Sequence, residues 1–263
     1  MLENSFAIEI MQESHLKISV VTVCYNSAKT LAKALQSVRD QNWPHVEHIV
    51  IDGGSKDTTS EILNRFCSSL AYVVSEPDNG IYDAMNKGIQ RATGDIVCFL
   101  NSDDHYADKT ILSRVAARMK KGELDAVFGD VTFFNEGDPD RTIRHYRSAS
   151  FHLSSLAWGL MPAHPALFMR REIYSRLGGF KPEYRIAGDF EFIARAFAAS
   201  HLRYEYLPEV LVKMQTGGVS TASGFKGRIL HNQELLRACR ENGIETNIFK
   251  ILSRYPKKLL ELI

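Results

Sequence analysis

The sequence predicts an α/β protein whose mostly parallel, Rossmann-like sheet is flanked by helices. Residues 17–133 alternate short apolar, β-rich runs with segments whose apolar residues recur every three or four positions. Such alternation is typical of a parallel sheet with helices on both faces. The chain has 263 residues, which is enough to bury one substantial core. We therefore expect one α/β domain, alone or with an appendage.

The elements of this first half can be assigned in order along the chain. Apolar runs predict strands at residues 17–23, 46–51, 71–74, 96–100 and 126–133. Helical spacing predicts the helices between them, which carry Leu31, Ala34, Leu35 and Val38, then Ile62, Leu63 and Phe66, then residues 82–90, and finally Leu112, Val115 and Met119. This regular alternation is the reason for expecting a parallel sheet.

The regular pattern ends near residue 134. Residues 135–140 are predicted to form a surface hairpin or loop, and helices are predicted near residues 170–178 and 190–197. Two further helical segments follow residue 225, and Pro256 is expected to interrupt the second. We divide the chain into an N-terminal extension at 1–16, an α/β half at 17–133, a less regular half of the same domain at 134–224, and a helical tail at 225–263.

Composition excludes several classes of protein. The formal net charge of +1 argues against a nucleic-acid-binding protein that relies on bulk electrostatics. The four cysteines form no CxxC pair, so they are interpreted as reduced thiols of a cytoplasmic protein. The first fifteen residues lack the pattern of a signal peptide, and no apolar stretch reaches the roughly 20 residues of a membrane span.

Two adjacent carboxylates, Asp103 and Asp104, follow the apolar strand at residues 96–100. Ligands of open α/β sheets bind at the carboxyl ends of the strands. Carboxylates at that edge suit a hard divalent cation held on a phosphate. The alternative is an ordinary turn or helix cap, which is the commoner role of an isolated Asp pair.

Two other strands also lead into polar junctions. Tyr25 and Asn26 follow the first strand, where free backbone N–H groups suit an anionic nucleotide and the Tyr25 ring could lie against a base. Asp52 and Gly53 follow the second strand, and the small glycine lets a ligand approach the backbone. The alternatives are helix caps and a tight turn. Neither the P-loop nor the dinucleotide fingerprint is present.

Five motifs occur in order along the chain, and together they resemble glycosyltransferase family 2. They are VTVCYNS at 21–27, IDGGSKD at 51–57, EPDNGIYDAMNKGI at 76–89, TGD at 93–95 and LNSDD at 100–104. That family has the GT-A fold and contains inverting, metal-dependent nucleotide-sugar transferases. The resemblance is close over residues 17–105 and looser to about residue 215. It implies that the α/β half binds the nucleotide-sugar and that residues 134–224 lie on the acceptor side.

The resemblance implies a set of donor-binding residues, namely Thr22, Tyr25, Asn26, Asp52, Gly53, Asp83, Lys87, Asn101, Ser102 and Asp104. Asp103 is the implied ligand of Mn²⁺ or Mg²⁺. The first Asp of the family's DxD motif is Asn101 here, which keeps an oxygen but removes a charge. We therefore expect modest metal affinity, with ligands supplied in part by the donor diphosphate.

Transfer to a hydroxyl also requires a base, and the resemblance places Asp189 there, before an amphipathic helix. Its alternative role is a plain helix cap, and Glu191 is the fallback base. Trp158 and His164 fall in the acceptor-side segment. His164 is as readily interpreted as a packing histidine between prolines.

The implied function is metal-dependent, inverting transfer from a nucleotide-sugar, with UDP favoured, to a glycan or lipid-linked glycan in bacterial surface polysaccharide synthesis. The alternative is a nucleotide-sugar-binding protein without transferase activity. Basic and apolar residues mix in the segment at 248–263. That segment is predicted either to contact a membrane surface weakly, on the inner face of the cell membrane, or to pack on the protein or across a homodimer.

Overall fold

The computed structural model describes residues 15–199, 201–217 and 224–259. Nearly all of the predicted N-terminal extension at 1–16, and the last residues of the tail, lie outside these ranges. Among the described residues, no helix has both the length and the apolar character needed to cross a bilayer.

In the described part of the chain, nine strands form one sheet. They are β1 (Ile18–Cys24), β2 (Val46–Asp52), β3 (Tyr72–Ser75), β4 (Ile96–Phe99), β5 (His105–Tyr106), β6 (Ala126–Phe134), β7 (Arg144–Tyr146), β8 (Leu167–Arg170) and β9 (Tyr204–Gln215). Their order is β3-β2-β1-β4-β8-β6-β9-β5, and β7 pairs with β6.

The described helices follow the strands. They are α1 (Leu31–Arg39), α2 (Thr59–Phe66), α3 (Ile81–Arg91), α4 (Ile111–Lys121), α5 (Arg171–Leu177), α6 (Gly188–Ala199), α7 (Gly224–Glu241), α8 (Ile248–Leu252) and α9 (Arg254–Leu259). Short 3₁₀ turns at Cys67–Ser69, Leu153–Trp158 and His164–Ala166 complete the described elements.

The predicted α/β class is confirmed. Strands β3, β2, β1 and β4 are parallel, and so is the long β6–β9 pair, so parallel pairing joins most of the paired residues. β8 runs antiparallel between β4 and β6. Because β1, β2 and β4 are parallel, the segments that follow Cys24, Asp52 and Phe99 meet at one edge of the sheet.

Helices cover both faces of the sheet. One face packs against α3, α5, α6 and α7 through residues such as Val21 and Ile49. The other face packs against α1, α2 and α4. Gly88 of α3 lies so close to Val21 that a Cβ atom would collide with the valine side chain, so this glycine sets the distance between α3 and β1.

Strands β8 and β9 were not predicted from the sequence. The β9 sequence contains Pro208 and two glutamates, and much of the strand is only partly buried, so it lacks a continuous apolar run. This segment is held as a strand by its pairing with β6 on one side and with β5 on the other. Both strands belong to residues 134–224, so the two halves of the chain share one sheet.

The structure corrects the expected effect of Pro256. The break between the tail helices falls at Ser253, and Pro256 lies in the first turn of α9. Proline is tolerated there because the first-turn N–H groups have no partner within the helix. The tail packs onto the domain through Ile251 and Arg254, which are 0% and 4% exposed.

Candidate active site

Three loops at the carboxyl edge of β1, β2 and β4 are joined by hydrogen bonds. The N–H of Asn26 donates to Ser55 Oγ at 2.7 Å, and the N–H of Lys56 donates to Asn26 Oδ1 at 2.8 Å. Asn26 has a φ of +50°, a conformation that asparagine tolerates better than most residues. The hydroxyls of Ser27 and Ser102 lie 2.8 Å apart. The three loops therefore form one polar platform.

Asp52 supports this platform from beneath. Its carboxylate is fully buried and accepts hydrogen bonds from the Ser75 hydroxyl at 2.5 Å, from the Ser55 N–H at 3.1 Å, and from the Ser55 hydroxyl. Both oxygens are therefore occupied by the protein. The structure shows Asp52 as a support of the loop, which corrects its expected role as a residue that binds the donor.

Thr22 also differs from its predicted role. Its side chain is fully buried, and its hydroxyl lies 2.9 Å from Nε2 of His48. Burial lowers the pKa of His48 to about 3, so the imidazole is neutral. The expected donor contact through the Thr22 side chain is wrong, because this position of β1 points into the layer beneath α1 and α2.

Tyr25, Gly53 and Asp78 lie close together above the platform. Tyr25 is 61% exposed. A Cβ atom on Gly53 would collide with Oδ2 of Asp78 and would lie 3.4 Å from the Tyr25 ring. Asp78 Oδ1 accepts a 2.8 Å hydrogen bond from the N–H of Gly80. Asp78 was missed from the sequence, although it lies within the quoted motif at 76–89.

Asp83 and Lys87, on α3, contact the segment that carries Asp78. The Lys87 ammonium lies 2.8 Å from Glu76 Oε1, 3.1 Å from the carbonyl of Pro77 and 4.0 Å from Asp83 Oδ2. Hydrogen bonding to Glu76 raises the pKa of Lys87, so the side chain is cationic. Asp83 accepts a 3.0 Å bond from the N–H of Asn79. Both side chains thus hold the segment that precedes α3.

The acidic pair is electrostatically strained. Burial raises the pKa of Asp103, and burial together with the Asp103 charge raises the pKa of Asp104 well above its usual value. Asp104 Oδ1 accepts a 3.1 Å bond from the N–H of Gln215 in β9, and a hydrogen bond from the Asn101 side chain also reaches Asp104. Oδ2 of Asp104 is buried and has no hydrogen-bond partner among the described residues.

This pair fits a divalent cation. A cation at Asp103 would offset the repulsion between the two carboxylates and would favour their ionised forms. No group of three or more His, Cys, Asp or Glu side chains able to hold a metal occurs in the described part of the chain. A cation here would therefore need most of its ligands from a bound diphosphate and from water.

Of the two residues predicted on the acceptor side, His164 contributes to packing, whereas Trp158 is exposed. His164 is 5% exposed, stacks on Phe99 at 5.2 Å and contacts Phe180 edge-on at 5.5 Å. Burial lowers the pKa of His164 to about 4, so it is a neutral packing residue. Trp158 is 40% exposed, and the Lys250 ammonium lies 5.9 Å from its ring centroid.

Glu191 cannot serve as the fallback base. Its carboxylate is fully buried and forms ion pairs of 2.9 Å with Lys181 and with Arg195. These hydrogen-bonded cations hold the pKa of Glu191 below its usual value despite burial. The prediction of Glu191 as a base is wrong because its oxygens bind two cations within the fold.

Asp189 is the second residue of α6 and is placed by close packing. Its Oδ1 accepts a 2.8 Å bond from the N–H of Phe190 and lies 3.3 Å from the Tyr82 hydroxyl. The same hydroxyl donates to the carbonyl of Ile186 at 2.8 Å. Gly188 lets Tyr82 approach, because a Cβ atom would lie 2.7 Å from its ring. Desolvation raises the pKa of Asp189 to about 6.

Tyr82 belongs to the motif at 76–89, so its contact with Asp189 brings the candidate base beside the candidate donor site. A sequence model of the family described as "Glycosyl transferase family 2" matches residues 19–178. The chain belongs to glycosyl transferase family 2. The match ends before Asp189, so the role of this residue in our family 2 glycosyltransferase rests on its geometry.

Known proteins similar to this family 2 glycosyltransferase include a relative that matches over most of its length and two solved structures. The "PGL/p-HBAD biosynthesis glycosyltransferase" of Mycobacterium bovis is 32% identical over 244 residues, which cover 91% of each protein. S. aureus TarS 1-349 in complex with UDP-GlcNAc has a TM-score of 0.65 at 20% identity, covering 85% of this chain and 66% of that one. The mannosyltransferase PcManGT from Pyrobaculum calidifontis, in complex with GDP-Man and Mn²⁺, has a TM-score of 0.63 at 20% identity, covering 85% and 65%.

Proposed function

We propose that this glycosyltransferase moves a sugar, with inversion, from a nucleotide diphosphate donor to a hydroxyl of a glycan or lipid-linked glycan. The observation that carries this proposal is the environment of Asp189. Its pKa is raised to about 6, and its Oδ1 lies 3.3 Å from the hydroxyl of Tyr82, which belongs to the motif at 76–89. A base with a pKa near the working pH is well suited to accept a hydroxyl proton. A UDP-sugar donor is favoured, and the product is a cell-surface polysaccharide of bacteria.

In the proposed reaction the acceptor oxygen attacks the anomeric carbon as its proton passes to Asp189. Phe190 and Tyr82 both contact Oδ1, so Oδ2 is the oxygen that receives the proton. The bond from the anomeric carbon to the diphosphate oxygen breaks, and its electron pair leaves with the nucleoside diphosphate. Single displacement inverts the anomeric centre. A divalent cation at Asp103, Mn²⁺ or Mg²⁺, would offset the negative charge of the diphosphate.

The surface formed by Tyr25, Gly53 and Asp78 is the proposed nucleoside site. The exposed Tyr25 ring offers a stacking surface, and the absence of a side chain on Gly53 lets the Asp78 carboxylate lie close beside the ring. Asp78 Oδ2 is aimed over Gly53 and can accept a hydrogen bond from the imide N–H of uracil. Lys87 contacts the segment that carries Asp78, where it can reach the ribose or the phosphates. Complexes of similar folds with UDP-GlcNAc and GDP-Man support a nucleotide-sugar donor.

A thermal-shift series with UDP, GDP and dTDP, each with and without Mn²⁺, tests the donor class. UDP with Mn²⁺ should raise the Tm most, because the cation links the diphosphate to Asp103. At a hundredfold excess over Kd, binding adds about 2.7 kcal/mol of stability. For a chain of this size that shift is on the order of 5 °C or more.

The series also separates the alternatives. A larger shift with GDP or dTDP would overturn the UDP assignment, and equal shifts without the cation would overturn the role of Mn²⁺. No shift with any nucleotide would contradict the donor site as a whole. Metal-dependent binding without transfer or donor hydrolysis, across a broad set of acceptors, would identify a nucleotide-sugar-binding protein instead.

For the tail we propose weak contact with an anionic membrane surface. Helix α8 buries Ile251 against the domain, while Phe249 is 81% exposed and Ile248 and Leu252 are each about two-fifths exposed. The exposed apolar side chains lie beside Lys250, and basic residues contribute about 1 kcal/mol each near an anionic leaflet. An acceptor embedded in a lipid bilayer would require such a contact.

The double substitution Phe249→Ser and Leu252→Ser should release the protein from anionic liposomes in a flotation assay. Both side chains are exposed, so the Tm and the activity on a water-soluble acceptor should not change. Deleting residues 248–263 would be a poorer test, because it also removes the buried Ile251 and Arg254. Unchanged flotation would contradict the membrane contact. A dimer that dissociates on substitution would assign the same surface to a second copy of the chain.

A further inference from the structure

The buried carboxylate of Glu234, on α7, binds the backbone of the loop that leads to Asp189. Its Oε1 accepts a 2.8 Å hydrogen bond from the N–H of Arg185. Its Oε2 accepts hydrogen bonds from the N–H groups of Ile186 at 2.9 Å and of Ala187 at 2.8 Å. Three consecutive N–H groups of one loop thus converge on one side chain, which is 6% exposed.

No ion pair of Glu234 is found among the described residues, although Arg185 and Arg237 line the same shallow cavity of about 230 Å³. A buried carboxylate is costly unless hydrogen bonds or charges compensate it. Here the three backbone N–H groups of the loop at 185–187 compensate the burial of the Glu234 carboxylate. Charge-assisted bonds of this kind are about twice as strong as neutral ones, so Glu234 fixes the loop strongly.

The same loop carries the other contact that places Asp189. The carbonyl of Ile186 accepts the 2.8 Å bond from Tyr82, and Gly188 and Asp189 begin α6 directly after Ala187. Glu234 therefore holds the loop from the α7 side, and Tyr82 holds it from the donor side. The direction of the Asp189 carboxylate depends on both contacts.

We propose that Glu234 is a positioning residue for Asp189. The proposal rests on the proposed function, in which Asp189 is the base. Glu234 touches neither donor nor acceptor in this scheme, and it acts only through the loop at 185–187. A misplacement of about 1 Å at a reacting group can cost on the order of 10²-fold in rate, so loosening this loop should affect the chemical step.

Glu234 also acts on Asp189 through its charge. The groups that face Asp189 are Tyr82 from α3 and Glu234 from α7, and the negative charge of Glu234 adds to the desolvation that raises the pKa of Asp189. Removing that charge should lower the pKa of Asp189. Since transfer needs the ionised base, the acid limb of the pH–rate profile should then move to lower pH.

The test compares Glu234→Gln with Glu234→Asp. Glutamine removes the charge and turns an NH₂ group toward at least one of the three N–H donors. We expect kcat to fall roughly 10–100-fold, with the acid limb moved to lower pH and with unchanged donor KM and nucleotide Kd. Aspartate keeps the charge but is shorter by one methylene. It should lose kcat without moving the acid limb.

Glu241→Gln provides a matched control on the same helix. Glu241 binds the side chains of Lys181, Tyr184 and Arg237 rather than the loop. This control should lower the Tm without changing kcat per folded molecule or the pH profile. If Glu234→Gln also lowered the Tm without changing kcat or the pH profile, Glu234 would have a purely structural role and the proposal would fail.

Hydrogen exchange of the amides of residues 185–187 gives a readout independent of activity. Glu234→Gln should speed their exchange, while Glu241→Gln should not. Slow exchange in Glu234→Gln would overturn the proposed contact with the loop. Exchange and activity test different claims. If exchange confirms the contact but Asp189→Asn transfers sugar as fast as wild type, Asp189 is not the base. In that case the positioning role fails because the proposed function fails, and not because the contact is absent.

Discussion

Asp189→Asn should lower the rate of sugar transfer by about 10²–10⁴-fold, the usual contribution of a general base. Asparagine keeps the shape of the side chain but cannot accept the proton of the acceptor hydroxyl. The surface at Tyr25, Gly53 and Asp78 and the acidic pair are unaffected, so the Kd for UDP with Mn²⁺ should stay within a factor of about two. Steady-state kinetics and calorimetric titration of the same preparation measure both quantities.

The wild-type pH profile is part of this prediction. Because desolvation raises the pKa of Asp189 to about 6, the rate should rise with pH and level off above that value. The folded-state pKa is higher than the ordinary value, so the contribution of this carboxyl to stability falls as pH rises from about 4 to 6. Asp189→Asn should therefore have a Tm at neutral pH no lower than that of wild type. Near-normal turnover of the variant would show that Asp189 is not the base.

Asp103→Asn should remove the dependence of donor binding on Mn²⁺. The substitution takes away the carboxylate proposed to hold the cation, so adding Mn²⁺ should no longer increase the thermal shift caused by UDP. Transfer should fall by about 10²-fold or more, since a cation at a leaving group is worth several kcal/mol in the transition state. Removing one of two repelling carboxylates should leave the Tm of the free protein unchanged or higher.

Asp95→Asn is the control for charge removal. Asp95 directly precedes β4, whereas Asp103 follows its end, so the two residues lie at opposite edges of the sheet. Asp95 Oδ2 accepts a 2.8 Å bond from the N–H of Lys17, and the control should lose some stability while keeping its metal dependence. Metal-dependent binding that survives in Asp103→Asn would place the cation elsewhere.

The first half of the fold was predictable because its strands are buried on both faces. β1, β2, β4 and β6 consist almost entirely of buried residues, and such strands appear in a sequence as segments rich in apolar and β-branched residues, here with a few buried polar ones. The helices between them carry apolar stripes at the correct spacing. β9 gave no such signal, since it is partly exposed and depends on β6 and β5 for its pairing.

The candidate site was predictable in position but not in side-chain direction. The motifs placed Tyr25, Asp103 and Asp189 at strand or helix ends, where the structure has them. Whether a side chain at such an end faces the cleft or the interior depends on the neighbouring layers. Thr22 and Asp52 face inward, where His48, Ser55 and Ser75 satisfy their hydrogen bonds.

The sequence by itself determined the α/β class, the family and the edge of the sheet that carries the candidate site, because these follow from local patterns of apolar and polar residues. Only the tertiary structure placed Asp78 beside Gly53 and Tyr25, Glu191 in a buried ion-pair network and Glu234 on the loop before Asp189. These assignments depend on contacts between residues far apart in the chain. No local pattern records them, since burial and hydrogen-bond satisfaction are set by whichever segments the fold brings together.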